Sequence, residues 1–120
     1  MSDPQVPVPP PERMATVLSA IAAQARRTNL VRAAELRAAV ERAASEGLDA
    51  AGWAAAERTA HQLAGSAGTF GYAGVSELAR SLERLLAHAA ETDVDPEQLE
   101  RAGSLLDQVG AQLAGEPELS

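Results

Sequence analysis

Apolar residues recur at every third or fourth position from Met14 onward, and no stretch of the chain alternates apolar with polar residues. This spacing predicts amphipathic helices, because one face of a helix repeats about every 3.6 residues, and it argues against a β-sheet. The pattern divides into five apolar lines, which run over residues 14–25, 30–43, 56–70, 75–89 and 99–113. Each line forms a single stripe, so each predicted helix has one face to bury.

The breaks between these lines carry residues that are typical of helix ends. Thr28 or Asn29 is a candidate N-cap between the first two lines, but this break is weak, and one bent helix fits the pattern as well. The later breaks contain glycines suited to the turn after a helix and aspartates suited to N-caps, namely Gly47, Gly71, Asp49 and Asp95, with Pro96 behind the last.

Short connections between amphipathic helices favour antiparallel neighbours. We therefore predict an all-α fold, an antiparallel four-helix bundle with an additional N-terminal helix. Residues 1–11 hold five of the seven prolines and are predicted to form a disordered tail. The bundle domain is expected over residues 12–114, and residues 115–120 are expected to fray at the C-terminus.

Composition and charge narrow the function. The net charge of −7 repels a phosphate backbone, and the ten basic residues, all arginines, form no run, so nucleic-acid binding is not expected. No apolar run approaches the roughly 18 residues of a membrane span, and no secretory signal is visible. The absence of cysteine excludes disulfides and thiolate metal sites. We expect a cytoplasmic protein without a metal and, since each helix has one stripe, a monomer.

The third apolar line carries a histidine away from its apolar face. At ~100° per residue, His61 lies about 140° from that line, so its ring is predicted to face water. Glu57, Ala64, Gly65 and Gly68 are predicted to share this face. Two glycines in a helix interior cost roughly 2 kcal/mol relative to alanine. Because these two lie beside the histidine on the outer face, we infer that a partner must come close to the ring.

A neutral imidazole is a good nucleophile near neutral pH, and no other group completes an active site around it. No hydroxyl or thiol triad is evident, and two histidines, His61 and His88, are too few for a zinc site. His88 is interpreted as a surface residue near the end of its helix. An exposed nucleophilic histidine without catalytic machinery suits a phosphoryl carrier whose partner supplies the metal and the carboxylate.

Residues 59–86 resemble the motif of histidine-phosphotransfer (HPt) domains. That motif is a histidine, a leucine two residues later, Lys-Gly at the third and fourth positions, a run of small residues, a glycine ten residues after the histidine and a Leu-Glu pair about twenty residues after it. The matching residues here are His61, Leu63, Gly65, Ser66, Gly71, Leu82 and Glu83. The motif covers about a quarter of the chain, and the helix count extends the resemblance to nearly all of it.

The resemblance implies a four-helix bundle of HPt type in a bacterial two-component phosphorelay. His61 is then phosphorylated by a receiver-domain Asp or by a histidine kinase, hybrid kinases included, and passes the group to another receiver Asp. Such a domain is a carrier and not an enzyme, and it relies on Mg²⁺ bound by the receiver instead of a cofactor of its own. The phosphate environment or receiver-docking surface would comprise Glu57, Arg58, Ala64, Gly65 and Gly68.

One position departs from the motif, because the family lysine is Ala64 here. The loss of this positive charge weakens the case for strong stabilisation of phosphohistidine, although Arg58, three residues before His61, can substitute in part. The departure keeps a second hypothesis open, in which the domain is a degenerate HPt-like adaptor that binds receiver or kinase domains without being phosphorylated.

Overall fold

The computed structural model describes residues 10–117 and shows an all-α fold, with no strand among these residues. Its helices are α1 (Pro11–Ser45), α2 (Ala50–Thr69), α3 (Ala73–Glu91) and α4 (Pro96–Ala114). The predicted four-helix bundle is thereby confirmed. None of these helices is long and apolar enough to cross a membrane. Residues 1–9 and 118–120, which include much of the two predicted tails, lie outside the described part of the chain.

The additional N-terminal helix is wrong, because the first two apolar lines belong to one continuous helix, α1. Neither candidate cap acts as one. The Thr28 hydroxyl donates to the carbonyl of Gln24 within the helix, at 3.0 Å. Asn29 is 1% exposed, and its Nδ2 donates to Ser66 Oγ of α2 at 3.1 Å. Because the Asn29 side chain bonds to α2, it does not cap the backbone of α1, and α1 continues through this position. The buried polar residue thus links α1 to α2.

The other predicted helix ends are confirmed. The Asp49 carboxylate accepts from the backbone N–H of Gly52 at 2.8 Å and caps α2. Asp95 forms a capping box with Gln98 at the start of α4. Gly47 and Gly71 have φ of 83° and 87°, the left-handed region in which glycine has no steric penalty. These two turns let α2 follow α1, and α3 follow α2, after only a few residues.

Cross-helix contacts show that neighbouring helices are antiparallel. Between α2 and α3, Ala64 pairs with Ser76 and His61 with Glu83, so earlier residues of one helix meet later residues of the other. Each helix packs against two neighbours, and α1 contacts α2 and α4. The core between them is formed mainly by leucine, valine and alanine, and its largest fully buried apolar residues are Leu36, Leu63, Val75, Leu82, Leu86, Val109 and Leu113.

The N-terminal part of α1 projects beyond the other three helices. α1 has 35 residues and is about 52 Å long, whereas α2, α3 and α4 have 19 or 20 residues and are about 30 Å long. Residues 11–21 are all exposed. The first apolar line, at the start of this projecting helix, is therefore largely uncovered by the bundle.

Candidate functional site

The exposed histidine lies in the middle of α2, on the flank that faces α3. The His61 side chain is 76% exposed, which confirms the prediction made from its offset to the apolar line. Its neighbours Ala60 and Leu63 are fully buried, so the helix beneath the ring is held firmly by the core. The ring is thus presented to solvent from a rigid element and not from a loop.

A carboxylate of α3 contacts the Nδ1 edge of this ring. The two Glu83 oxygens lie 3.1 and 3.3 Å from His61 Nδ1, and the Glu83 side chain is 28% exposed. With Nδ1–H donating to the carboxylate, the neutral ring keeps its free electron pair on Nε2. In this tautomer Nε2 is the ring nitrogen with a free electron pair, and the contact with Glu83 favours both this tautomer and this orientation of the ring.

Glu83 was part of the motif but was not among the predicted site residues. Its contact with His61 follows from the hairpin, since both residues lie equally far from Tyr72, at the turn between α2 and α3. In an antiparallel helix pair, residues at equal distances from the turn come level with each other. This symmetry was a signal in the sequence for the approximate level of the pair along the hairpin, but not for the flank of α3 that faces the histidine.

The two glycines on this face have different surroundings. A Cβ added to Gly65 meets nothing within 4 Å, so its outer side is open surface beside His61. A Cβ added to Gly68 lies 3.2 Å from Ser76 Oγ of α3. Gly65 thus leaves space for a molecule outside the domain, whereas Gly68 also leaves space for Ser76 of α3.

Ala64 is not on the exposed face, and this placement in the sequence analysis is wrong. The residue is 3% exposed, and its carbonyl accepts a hydrogen bond from the Ser76 hydroxyl at 2.8 Å. Because α3 packs closely on this flank of α2, it covers the position that the helical wheel assigned to solvent. The small side chain at residue 64, where the family has lysine, therefore allows α3 to pack closely on α2.

Charged residues of both signs surround the ring. His61 lies in a shallow hollow whose other lining residues are Glu57, Arg80, Glu83, Arg84 and Ala87. Arg80 and Arg84, one turn apart on α3, were not predicted, because the sequence alone does not show which flank of α3 adjoins the histidine. Arg58 is exposed and does not line this hollow. The positive charge that lines this hollow comes from α3.

Within residues 10–117, no group of three or more His, Asp and Glu side chains is placed to hold a metal ion. The second histidine, His88, lines a different hollow between α3 and α4, together with Arg84 and Arg101. It has no carboxylate partner of the kind that orients His61 among the hydrogen bonds of the described residues. The two histidines therefore provide a matched pair for experiments.

Comparison with known proteins identifies a family for this arrangement. The family model described as the Hpt domain matches residues 12–112, which is most of the chain. The match includes His61, Glu83 and the entire helical hairpin that brings them together. No curated protein and no solved structure matches the chain.

The hydrogen bond from His61 to Glu83 predicts a tautomer that can be measured. Replacing Glu83 by alanine removes the acceptor at Nδ1, so the neutral ring should exchange between its two tautomers. We expect the ¹⁵N signals of Nδ1 and Nε2 to move towards each other at a pH where the ring is neutral. Glu77→Ala, which removes another exposed carboxylate of α3, is the control and should leave both signals in place. Identical spectra for Glu83→Ala and the parent would contradict this role for Glu83.

Proposed function

Because the chain belongs to the Hpt domain family, whose members carry phosphoryl groups in phosphorelays and are not enzymes, we propose that His61 is the residue that carries the group. In this proposal, His61 accepts phosphoryl from a receiver Asp or a histidine kinase and passes it to another receiver Asp. The observation that carries the proposal is the exposed ring itself, with Nδ1 held by Glu83 and Nε2 free beside the open surface at Gly65.

The transfer step uses only the groups at this surface and those of the partner. Nε2 attacks the phosphorus of a receiver aspartyl phosphate, the N–P bond forms, and the P–O bond to the aspartate breaks, which leaves a free carboxylate. Nδ1 keeps its proton, and Glu83 stabilises the positive charge that the ring acquires. Mg²⁺, expected on the receiver, neutralises the transferring phosphoryl oxygens. Running the step in reverse passes the group to the next receiver.

The open surface at Gly65 supports the close approach that this step needs. In-line transfer requires the nitrogen, phosphorus and oxygen to be nearly collinear, with the reacting groups about 3–3.5 Å apart beforehand. Gly65 lies one turn from His61 on α2, so a long side chain there would hold a receiver away. We propose that Gly65, with Gln62 and Thr69 on the same exposed side of α2, is part of the docking surface.

Arg80 and Arg84 supply the positive charge that the family lysine would otherwise provide. A phosphoryl group on Nε2 brings negative charge into a hollow that already contains Glu57 and Glu83. Without cations, these carboxylates would repel it. We propose that the two α3 arginines offset this repulsion and take the role that the sequence analysis gave to Arg58. Glu57 then shapes the hollow without contacting the phosphoryl group.

The alternative is the degenerate adaptor, which binds a receiver or kinase without being phosphorylated. Ala64 in place of the family lysine is the observation in its favour. Both hypotheses use the same docking surface around Gly65. They differ only in whether the phosphoryl group reaches His61, so labelling experiments distinguish them.

The first test is removal of the proposed carrier. His61→Gln should abolish labelling by a phosphorylated receiver, and the free energy of unfolding should change by no more than about 0.5 kcal/mol, because an exposed side chain makes few packing contacts. His88→Gln removes the other histidine and should label like the parent. The label should be acid-labile and base-stable. Undiminished labelling of His61→Gln would assign the carrier to another residue, and no labelling of the parent by any receiver or kinase of its source would favour the adaptor.

The second test separates the stability of α2 from access to His61. Gly65→Ala should stabilise the domain by up to about 1 kcal/mol, since the added methyl group enters open space and alanine is the better helix former. Gly65→Gln should keep the helix but slow transfer at least about tenfold, which corresponds to 1.4 kcal/mol of barrier.

Gly103→Gln is the control for this pair, because Gly103 lies on α4 and an added Cβ there also meets nothing within 4 Å. Thermal unfolding and transfer rates are measured on all three variants. If Gly65→Gln transfers phosphoryl as fast as Gly103→Gln, the glycine does not serve the partner.

The third test concerns the arginines of α3. Replacing Arg80 and Arg84 together by glutamine should lower the equilibrium constant for transfer from a phosphorylated receiver by about twofold to thirtyfold, since each exposed charge contributes about 0.2–1 kcal/mol. The difference should shrink in high salt, which screens exposed charges. Arg101→Gln on α4 is the control. A loss seen with Arg58→Gln, but not with the α3 pair, would return the role to Arg58.

A further inference from the structure

The projecting part of α1 exposes a row of large apolar side chains. We refer to residues 11–21 as the overhang, since every one of them is exposed. Met14, Val17, Leu18 and Ile21 follow the spacing of one helix face and are 41–57% exposed. Large apolar residues scattered singly over a surface need no explanation, but four on adjoining turns of one helix indicate a binding surface.

This row continues the face that α1 turns to the core. At ~100° per residue, the mean direction of the four overhang residues differs by about 40° from that of the buried residues Leu36, Ala39, Val40 and Ala43. The bundle-facing line of α1 therefore extends past the end of the bundle, where α2, α3 and α4 have no residues to cover it.

The distribution of charge indicates what can pack there. Residues 14–25 contain no charged side chain, although the chain as a whole carries −7. The charged residues that flank this stretch are Glu12, Arg13, Arg26 and Arg27, three of them basic, so the acidic excess lies in the rest of the chain. Two copies of this acidic protein can therefore touch along residues 14–25 without bringing carboxylates of this stretch together.

We propose that the overhang is an interface between two copies of this chain, in which the two projecting helices pack antiparallel. A twofold axis near Val17 and Leu18 brings the same apolar row of each copy face to face, as an isologous contact requires. The two acidic bundles then lie at opposite ends of the paired overhangs, about 13 Å apart along the helix axis, which exceeds the Debye length of about 8 Å at physiological salt. A parallel pair would place the bundles side by side.

The base of each overhang forms a hollow that can accommodate the tip of the other. A hollow where α1 leaves the bundle has Ala22, Ala23, Phe70 and Tyr72 among its lining residues. In the antiparallel arrangement, Met14 of one copy reaches this hollow on the other. Arg26 and Glu116 also line the hollow, so its formal charges cancel and it opposes neither sign of charge at the tip. The tip and the base of one overhang can therefore meet through their apolar residues.

The dimer leaves both phosphoryl sites accessible. Asn29 of α1 is level with Ser66 of α2, and Ile21 precedes Asn29 by eight residues, or about 12 Å of helix. The apolar row therefore ends well short of the level of His61. A monomer was expected because each helix has one apolar stripe to bury. The overhang is the part of the α1 stripe that the bundle leaves exposed. The contact is small, so we expect a dissociation constant of about 1–100 μM.

Sedimentation velocity over concentrations from about 1 μM to about 500 μM tests this proposal on the full chain. The parent should pass from monomer to dimer across this range. Leu18→Glu, which puts a charge at the centre of the row, should raise the dissociation constant at least about tenfold and keep the chain monomeric. Ser19→Glu adds the same charge to the next, exposed position, outside the row, and should dimerise like the parent. Circular dichroism should show equal helix content in all three proteins.

A cysteine variant gives a second readout that does not weaken the helix. The chain has no cysteine of its own, so Leu18→Cys carries a single thiol beside the proposed twofold axis. Under mild oxidation it should form a disulfide-linked dimer much faster than Ser19→Cys. A parent that stays monomeric at every concentration, or a dimer unaffected by Leu18→Glu, would overturn the proposal. So would a monomer that floats with anionic phospholipid vesicles through the same row, because the occupant would then be a lipid surface.

Discussion

Close packing of α2 against α3 depends on the small side chains at their contact. Ala64 and Gly68 on α2 meet Ser76 on α3, and the Ser76 hydroxyl donates to the Ala64 carbonyl at 2.8 Å. Larger residues here would force the helices apart, towards or beyond the usual separation of about 8–10 Å. The position of Glu83 at His61 Nδ1 depends on this approach, and so does the presence of two α3 arginines in the same hollow. The site is therefore a property of the hairpin and not of α2 alone.

The sequence contained the information for the helix ends and for the direction of His61, because both are local. Asp49, Asp95 and the two positive-φ glycines act through their own neighbours in the chain. The burial of Ala64 and the role of Asn29 depend instead on which helix lies alongside. A helical wheel places Ala64 about 60° from His61, on the side towards the apolar line. This intermediate direction does not decide whether a neighbouring helix covers the residue. Tertiary contacts determine the surroundings of both residues, so the predicted exposure of Ala64 and the candidate N-cap at Asn29 were both wrong.

The same limit explains α1. An apolar line looks identical in sequence whether another part of the same chain covers it or not. Met14 to Ile21 and Leu36 to Ala43 have the same spacing, yet the first set is exposed and the second is buried. The difference comes from helix length, since α1 outruns its neighbours by more than ten residues. The weak break at Thr28 suggested two helices. Two short helices could have packed both apolar lines into one core, which a single straight helix cannot do.

If His61 carries the phosphoryl group, as proposed, the charges around it suit a group that must leave as readily as it arrives. A strongly cationic surface would hold the phosphoryl group and slow its onward transfer, whereas a purely acidic one would repel it from the start. The hollow combines Glu57 and Glu83 with Arg80 and Arg84, so its formal charges cancel. Glu83 acts on the ring nitrogen opposite the reacting one, where it favours positive charge on the imidazole in both directions of transfer. In the proposed mechanism, the positive charge of the family lysine is supplied by arginines of the neighbouring helix, and the cancelled charges of the hollow do not bind the phosphoryl group too strongly for onward transfer.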